Sequence, residues 1–233
     1  MKKLDVCFSP DLIHLYDLKG RIVVVVDVLR ATSCMTTAFA HGISKIKPVA
    51  NLEECKALGE KGYITAAERG GEKVEGFDLG NSPFSYMDKD LKGKNIALTT
   101  TNGTLAITKS VAADEVIIGS FLNLNAVVKY ILNQERDVLI HCAGWKGKFS
   151  MEDSIFAGAL VEHLKSKYQS ECDAPNAAAT LYNSAKDDLK EYMADSAHVK
   201  RLKNFNVSKD IAFCLTPNQY DVVPKLVDME LTC

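Results

Sequence analysis

The sequence has no C-x-x-C pair, no apolar run of membrane-spanning length and no surplus of either charge. Its seven cysteines, Cys7, Cys34, Cys55, Cys142, Cys172, Cys214 and Cys233, are scattered and odd in number, which argues against a structural zinc site and a secreted disulfide framework. Most of them read as small buried hydrophobes. No apolar signal region follows Lys2 and Lys3, so the cytoplasm is the expected location. With 28 basic and 30 acidic residues the net charge is −2, so neither a nucleic-acid surface nor a membrane-attracted face is expected. Proline is scarce, at 6 residues against 14 glycines, and no linker or internal repeat interrupts the chain. One folded domain over 1–233 is therefore expected, without disordered or low-complexity segments.

What the sequence does contain is an alternation of apolar runs and helical patterns. Strands are expected at residues 4–8, 22–26, 43–50, 63–67, 95–98, 115–118 and 137–141. Helices are expected at about 32–41, 51–59, 103–110, 123–133 and 152–168. Thr32 or Ser33 is available as a cap and Gly42 as a stop, while Asn51 with Glu54 three residues later reads as a capping box. Residues 174–205 are Ala- and Lys-rich without a further strand and are expected to form a helical insertion. Ser208 is a candidate cap for a last helix, and residues 220–223 and 226–231 read as terminal strands around Pro224. The βαβα alternation predicts an α/β fold.

The stretch Asp27-Val-Leu-Arg-Ala-Thr-Ser33 follows a β-branched run, Ile22 to Val26, with the character of a strand buried on both faces. In open α/β sheets the carboxyl ends of strands are where ligands bind. Four such ends carry polar clusters: Asp27/Arg30/Thr32, Glu68/Arg69, Thr99 to Thr104, and Gly144 to Lys148 followed by Glu152/Asp153. Each has a bland explanation as well. Asp27 alone would suit a helix amino terminus, Glu68-Arg69-Gly70-Gly71 a solvated turn, and Glu152 with Asp153 the start of a helix. Together they could line one crevice. Arg30 presents a fork of donors for a phosphate, and Asp27 can hold a hard cation sharing that phosphate. Glu68 is a candidate metal ligand or general base, and Arg69 a second oxyanion clamp. Thr100, Thr101, Asn102, Gly103 and Thr104 form a small-residue turn into a helix that suits an anion, although no Walker lysine follows the glycine. Residues 68–83 make a loop longer than a simple connection needs, as functional loops often are. The five histidines show no metal-ligand spacing.

Taken in order, Val-Asp-Val-Leu-Arg-Ala-Thr-Ser at 26–33, Glu-Arg-Gly-Gly at 68–71, Phe-Asp-Leu-Gly-Asn-Ser-Pro at 77–83 and Thr-Thr-Thr-Asn-Gly-Thr at 99–104 resemble the 2-phosphosulfolactate phosphatase family of coenzyme M biosynthesis. The resemblance implies a three-layer α/β/α fold with a mixed, largely parallel sheet. It also implies a magnesium-dependent phosphomonoester hydrolase that releases 3-sulfolactate and phosphate. On that basis magnesium is expected on Asp27 with Glu68 or Asp153, anionic oxygens on Arg30 and Arg69, and the phosphoryl or sulfonate group in the Thr100 to Thr104 turn. Asp27 could instead attack phosphorus directly, as in haloacid-dehalogenase-type phosphatases, but Leu29 stands where their second aspartate would be. A non-catalytic sensor of a phosphorylated or sulfonated metabolite is the second class to weigh. It would need the arginines and glycine turns but no carboxylate cluster. The expected partner is a small anionic phosphorylated substrate, and a homo-oligomer is compatible with the sequence.

Overall fold

A computed structural model describes residues 1–233. The strands in chain order are β1 (Lys2–Cys7), β2 (Arg21–Val26), β3 (Lys45–Pro48), β4 (Ile64–Arg69), β5 (Glu72–Lys73), β6 (Asn95–Thr99), β7 (Glu115–Gly119), β8 (Asp137–Cys142), β9 (Tyr168–Gln169), β10 (Lys225–Val227) and β11 (Glu230–Thr232). The helices are α1 (Ala31–Ala40), α2 (Leu52–Gly59), α3 (Gly103–Lys109), α4 (Leu124–Leu132), α5 (Met151–Leu164), α6 (Ala174–Ala185), α7 (Leu189–Met193), α8 (Ala197–Lys203) and α9 (Ser208–Cys214). No helix is long and apolar enough to cross a membrane.

All strands join one sheet in the order β5-β4-β6-β3-β11-β10-β7-β2-β8-β1-β9. It is mixed and largely parallel, as the βαβα alternation and the family resemblance imply. Strand β2 sits inside it, pairing in parallel with β7 on one side and β8 on the other. Its alternate residues serve two cores. Ile22, Val24 and Val26 pack with residues of α4, α5 and α6, while Val23 and Val25 pack with residues of α1 and α3. Helices therefore cover both faces, giving three layers, and each buried valine stabilises the fold by about 1.5–3 kcal/mol. Helix α6 lies directly on α5 because Gly158 has no side chain: a Cβ there would stand 1.9 Å from Ala178 O.

The sheet is spliced from two parallel blocks. Strands β4, β6 and β3 run together, and β7, β2, β8, β1 and β9 run together. Between them lies the β10–β11 hairpin, antiparallel to both neighbours, so the two blocks have opposite sense. A flat sheet of this kind would send the ends of β2 and β6 to opposite edges. Even so, α3, which follows β6, packs against β2, so the turn after β6 reaches the end of β2.

Local chemistry explains the start of α2. Glu54 N–H donates to Asn51 Oδ1 at 2.8 Å, while the Glu54 carboxylate reaches back to Ala50 N–H at 3.4 Å, one residue short of a full capping box. Thr32 and Ser33 are not helix caps. Arg30 holds the N-cap position of α1, Asp27 N–H donates to Thr32 Oγ1, and Ser33 Oγ donates to Val28 O, so both hydroxyls brace the preceding turn. The terminal strands also differ from expectation. Residues 220–223 are irregular, and 226–231 spans a hairpin rather than one strand, turned by Asp228 and Met229 at φ 49° and 63°. Two successive positive φ values mark a type I′ turn, in which Asp228 suits the first position but Met229 stands where glycine is usual.

Candidate active site

Asp27 lies just beyond β2, buried, with one long hydrogen bond to its side chain: Ala31 N–H to Oδ1 at 3.4 Å. The turn after β6 presses against it. A Cβ on Gly103 would stand 2.9 Å from Asp27 Oδ2, 2.6 Å from Ala31 Cβ and 3.2 Å from Thr100 Oγ1, so only glycine allows α3 to start this close to the carboxylate. Thr100 and Thr104 lock the turn reciprocally, with Thr104 N–H donating to Thr100 Oγ1 at 3.2 Å and Thr100 N–H to Thr104 Oγ1 at 3.3 Å. Asn102 Oδ1 accepts from Lys146 N–H at 3.2 Å and ties this turn to the loop after β8.

Glu68, at the end of β4, is buried and fully engaged. It accepts from Gly71 N–H at 2.6 Å, Thr101 N–H at 3.1 Å and Thr101 Oγ1 at 3.3 Å, joining the β4–β5 turn to the β6–α3 turn. Asp153, in the first turn of α5, is buried too. It accepts from Val28 N–H at 2.9 Å and Gly144 N–H at 3.1 Å, so it clamps the ends of β2 and β8 together. Next to it, Glu152 hydrogen-bonds through Oε1 to His198 Nδ1 of α8, and its Oε2 is buried without a partner.

These acids perturb one another. Burial, with Glu68 and Glu152 nearby, pushes Asp27 up to about 7, against the opposing pull of His198 and the Ala31 amide. Burial and the charges of Glu152 and Asp27 push Asp153 well above the usual carboxylate range, although its two amide donors pull the other way. Burial alone would raise Glu152 as well, but the hydrogen bond and charge of His198 outweigh it and hold Glu152 low. Four buried carboxylates thus face one region.

The two arginines do not share one cavity. Arg30 is buried, pairs with Asp210 of α9 at 2.5 Å and donates to Gly71 O at 2.7 Å. Arg69 donates to Glu68 O at 2.6 Å and Thr99 Oγ1 at 2.9 Å. Arg69 lines a cavity with Thr100, Thr101 and Thr104, whereas Arg30 lines a separate one with Gly71, Asn81 and Ser82. Sequence spacing also gave no sign of His198 and Asp210, both supplied by the helices after β9. The one available signal was the i, i+3 placement of His198 and Arg201 behind the Ser196 cap, which puts two cationic side chains on one helix face.

Fold and site together define an α/β protein in which buried carboxylates gather around Asp27, beside a threonine-glycine turn. A model of the 2-phosphosulpholactate phosphatase family matches residues 7–229. A probable 2-phosphosulfolactate phosphatase of Caldanaerobacter subterraneus subsp. tengcongensis is 44% identical over 215 residues, covering 90% of this chain and 89% of its own. A relative of the same name from Thermotoga maritima is 43% identical over 208 residues, covering 89% and 90%. One from Clostridium beijerinckii is 34% identical over 237 residues, covering 99% of each chain. The chain belongs to the 2-phosphosulpholactate phosphatase family.

Proposed function

We propose that this chain is a magnesium-dependent phosphomonoester hydrolase that converts 2-phosphosulfolactate and water to 3-sulfolactate and phosphate. The observation that carries the proposal is the burial of Asp27 beside Glu68, Glu152 and Asp153 with a single long hydrogen bond to its carboxylate, an arrangement that is costly unless a cation shares it. Family membership supports the substrate, since the curated relatives bear its name.

The donor set fits magnesium. No three acidic, histidine or cysteine side chains are close enough to form a preassembled metal cage. Magnesium asks for no such cage, because it keeps several waters and takes one or two carboxylates together with substrate phosphate. Asp27, whose one hydrogen bond is long, would hold the ion with Glu68 or Asp153. Magnesium in that place would neutralise charge on the phosphoryl oxygens and favour attack by water.

The chain's own residues shape the rest. Glu68 fixes Thr101 and Gly71, and the Thr100–Thr104 pair fixes the turn that meets the phosphoryl group. Asp153 holds the Val28 amide and so sets the direction in which Asp27 leaves β2. Water adds to phosphorus as the ester P–O bond breaks, and the released alkoxide takes up a proton. The apolar, buried Leu29 offers no second carboxylate to serve a phosphoaspartyl route, which favours a cation-holding Asp27 over a nucleophilic one.

Phosphate release from 2-phosphosulfolactate, measured in EDTA and across a magnesium titration, tests the reaction. Release should vanish in EDTA and return with magnesium. Asp27→Asn should weaken magnesium binding, read by calorimetry, by more than about 100-fold. Turnover that resists EDTA would refute the metal requirement, and unchanged magnesium affinity or a trapped acyl-phosphate would refute the role given to Asp27. Thermal stabilisation by 2-phosphosulfolactate without any turnover would point to a sensor.

A further inference from the structure

Beside the carboxylate cluster lies a cavity of about 250 Å³ lined by Trp145, Lys148, Ser150, Glu152, His198 and Arg201, among others. It collects three of the buried side-chain polar atoms that lack a hydrogen-bond partner: Ser150 Oγ, Glu152 Oε2 and Arg201 Nε. The Ser150 hydroxyl is near enough to help hold Glu152 low, has no well-formed hydrogen bond of its own, and does not cap α5. Buried polar atoms are nearly always paired, so three orphans around one cavity mark a place where something else supplies the partners.

The charge and shape of the cavity define that partner. Arg201 makes no salt bridge or side-chain hydrogen bond to the protein; its guanidinium lies over the Trp145 ring, 4.7 Å from the centroid. Lys148 is exposed at the mouth. The charge of Glu152 is taken up by its bond to His198, whose ring lies 5.3 Å from Trp145. Two uncommitted cations with a free hydroxyl favour an acid group, and Glu152 Oε2 can accept from a hydroxyl beside it. The cavity falls below the roughly 300–1,000 Å³ of drug-sized sites, which suits a short acid tail rather than a base or ring system.

We infer that this cavity is the subsite for the non-phosphoryl end of the substrate, in which Arg201 and Ser150 receive a carboxylate or sulfonate and so select acid-tailed phosphate esters over neutral ones. The assignment rests on the phosphatase reading for its substrate, but not for its physical basis, which is the orphaned cavity. Arg201 is thus a specificity residue at a distance from the phosphorus.

The test compares Arg201→Gln with the parent protein on 2-phosphosulfolactate and on phenyl phosphate, whose tail is uncharged. The ratio of the two kcat/KM values should fall by about tenfold or more, mainly through KM for the acid-tailed ester, with Arg201→Lys recovering part of it. Equal losses on both substrates, or none, would overturn the subsite. Calorimetric binding of 3-sulfolactate separates this from the proposed reaction, because it needs no turnover. A parent protein that binds 3-sulfolactate and loses that binding in Arg201→Gln, yet hydrolyses neither ester, would refute the reaction and keep the subsite. Undiminished binding in a folded Arg201→Gln protein, checked by circular dichroism, would overturn the subsite whatever the activity.

Discussion

Replacing Asp210 with asparagine keeps the shape of the side chain and removes the charge that faces Arg30. The two side chains are 9% and 4% exposed and 2.5 Å apart, so the guanidinium would be left buried with Gly71 O as its remaining acceptor. Breaking a buried pair from one side costs about 3–5 kcal/mol. Asparagine can still accept one hydrogen bond, which places Asp210→Asn at the lower end, about 3 kcal/mol. For a chain of this size that lowers Tm by about 6–12 °C. Thermal and denaturant unfolding of the parent, Asp210→Asn, Arg30→Met and the double variant form a cycle. The double variant should be less destabilised than the sum of the singles by about 1 kcal/mol or more, since removing both charges leaves no buried orphan. If Asp210→Asn costs no more than about 0.5 kcal/mol, the range of a surface change, the pair does not tie α9 to the site.

Two further outcomes follow from packing and burial. Gly103→Ala should lose about 1–3 kcal/mol of stability and most phosphate release, because its methyl group would collide with Ala31 and Asp27; unchanged melting and turnover would show that α3 does not start against Asp27. His141 is fully buried, bonded to Ser110 through Nδ1 and unpartnered at Nε2, and burial pushes it down to about 4. The unfolded chain takes up that proton near pH 6.5 while the folded one resists until about 4, so stability should fall as pH drops through this window, by at most about 3 kcal/mol. Denaturant unfolding from pH 7.5 to 4 should show a shallower loss in His141→Asn than in the parent, and parallel curves would disprove the assignment.

The sequence alone determined the parts of this protein that depend on neighbours along the chain. A run of β-branched residues from Ile22 to Val26 commits to a strand with both faces covered, because its alternate side chains are all apolar. Asn51 with Glu54 sets a helix start through bonds three residues apart. The Thr-Thr-Thr-Asn-Gly-Thr turn and its position after a strand were visible for the same reason. Tertiary structure alone decided which charges meet. Arg30 reads as a free phosphate clamp until Asp210, 180 residues away, is found against it. His198 shows no metal-ligand spacing in the sequence, and only the packing of α8 lays it on Glu152, 46 residues earlier. The two parallel blocks that carry β2 and β6 are joined by a hairpin from the carboxyl terminus, and its turn at Asp228 and Met229 carries no glycine to announce it. Periodicity and caps report only the few residues within reach of one turn or one pleat. The pairing of buried charges is fixed by how whole layers pack, and no local pattern encodes that distance.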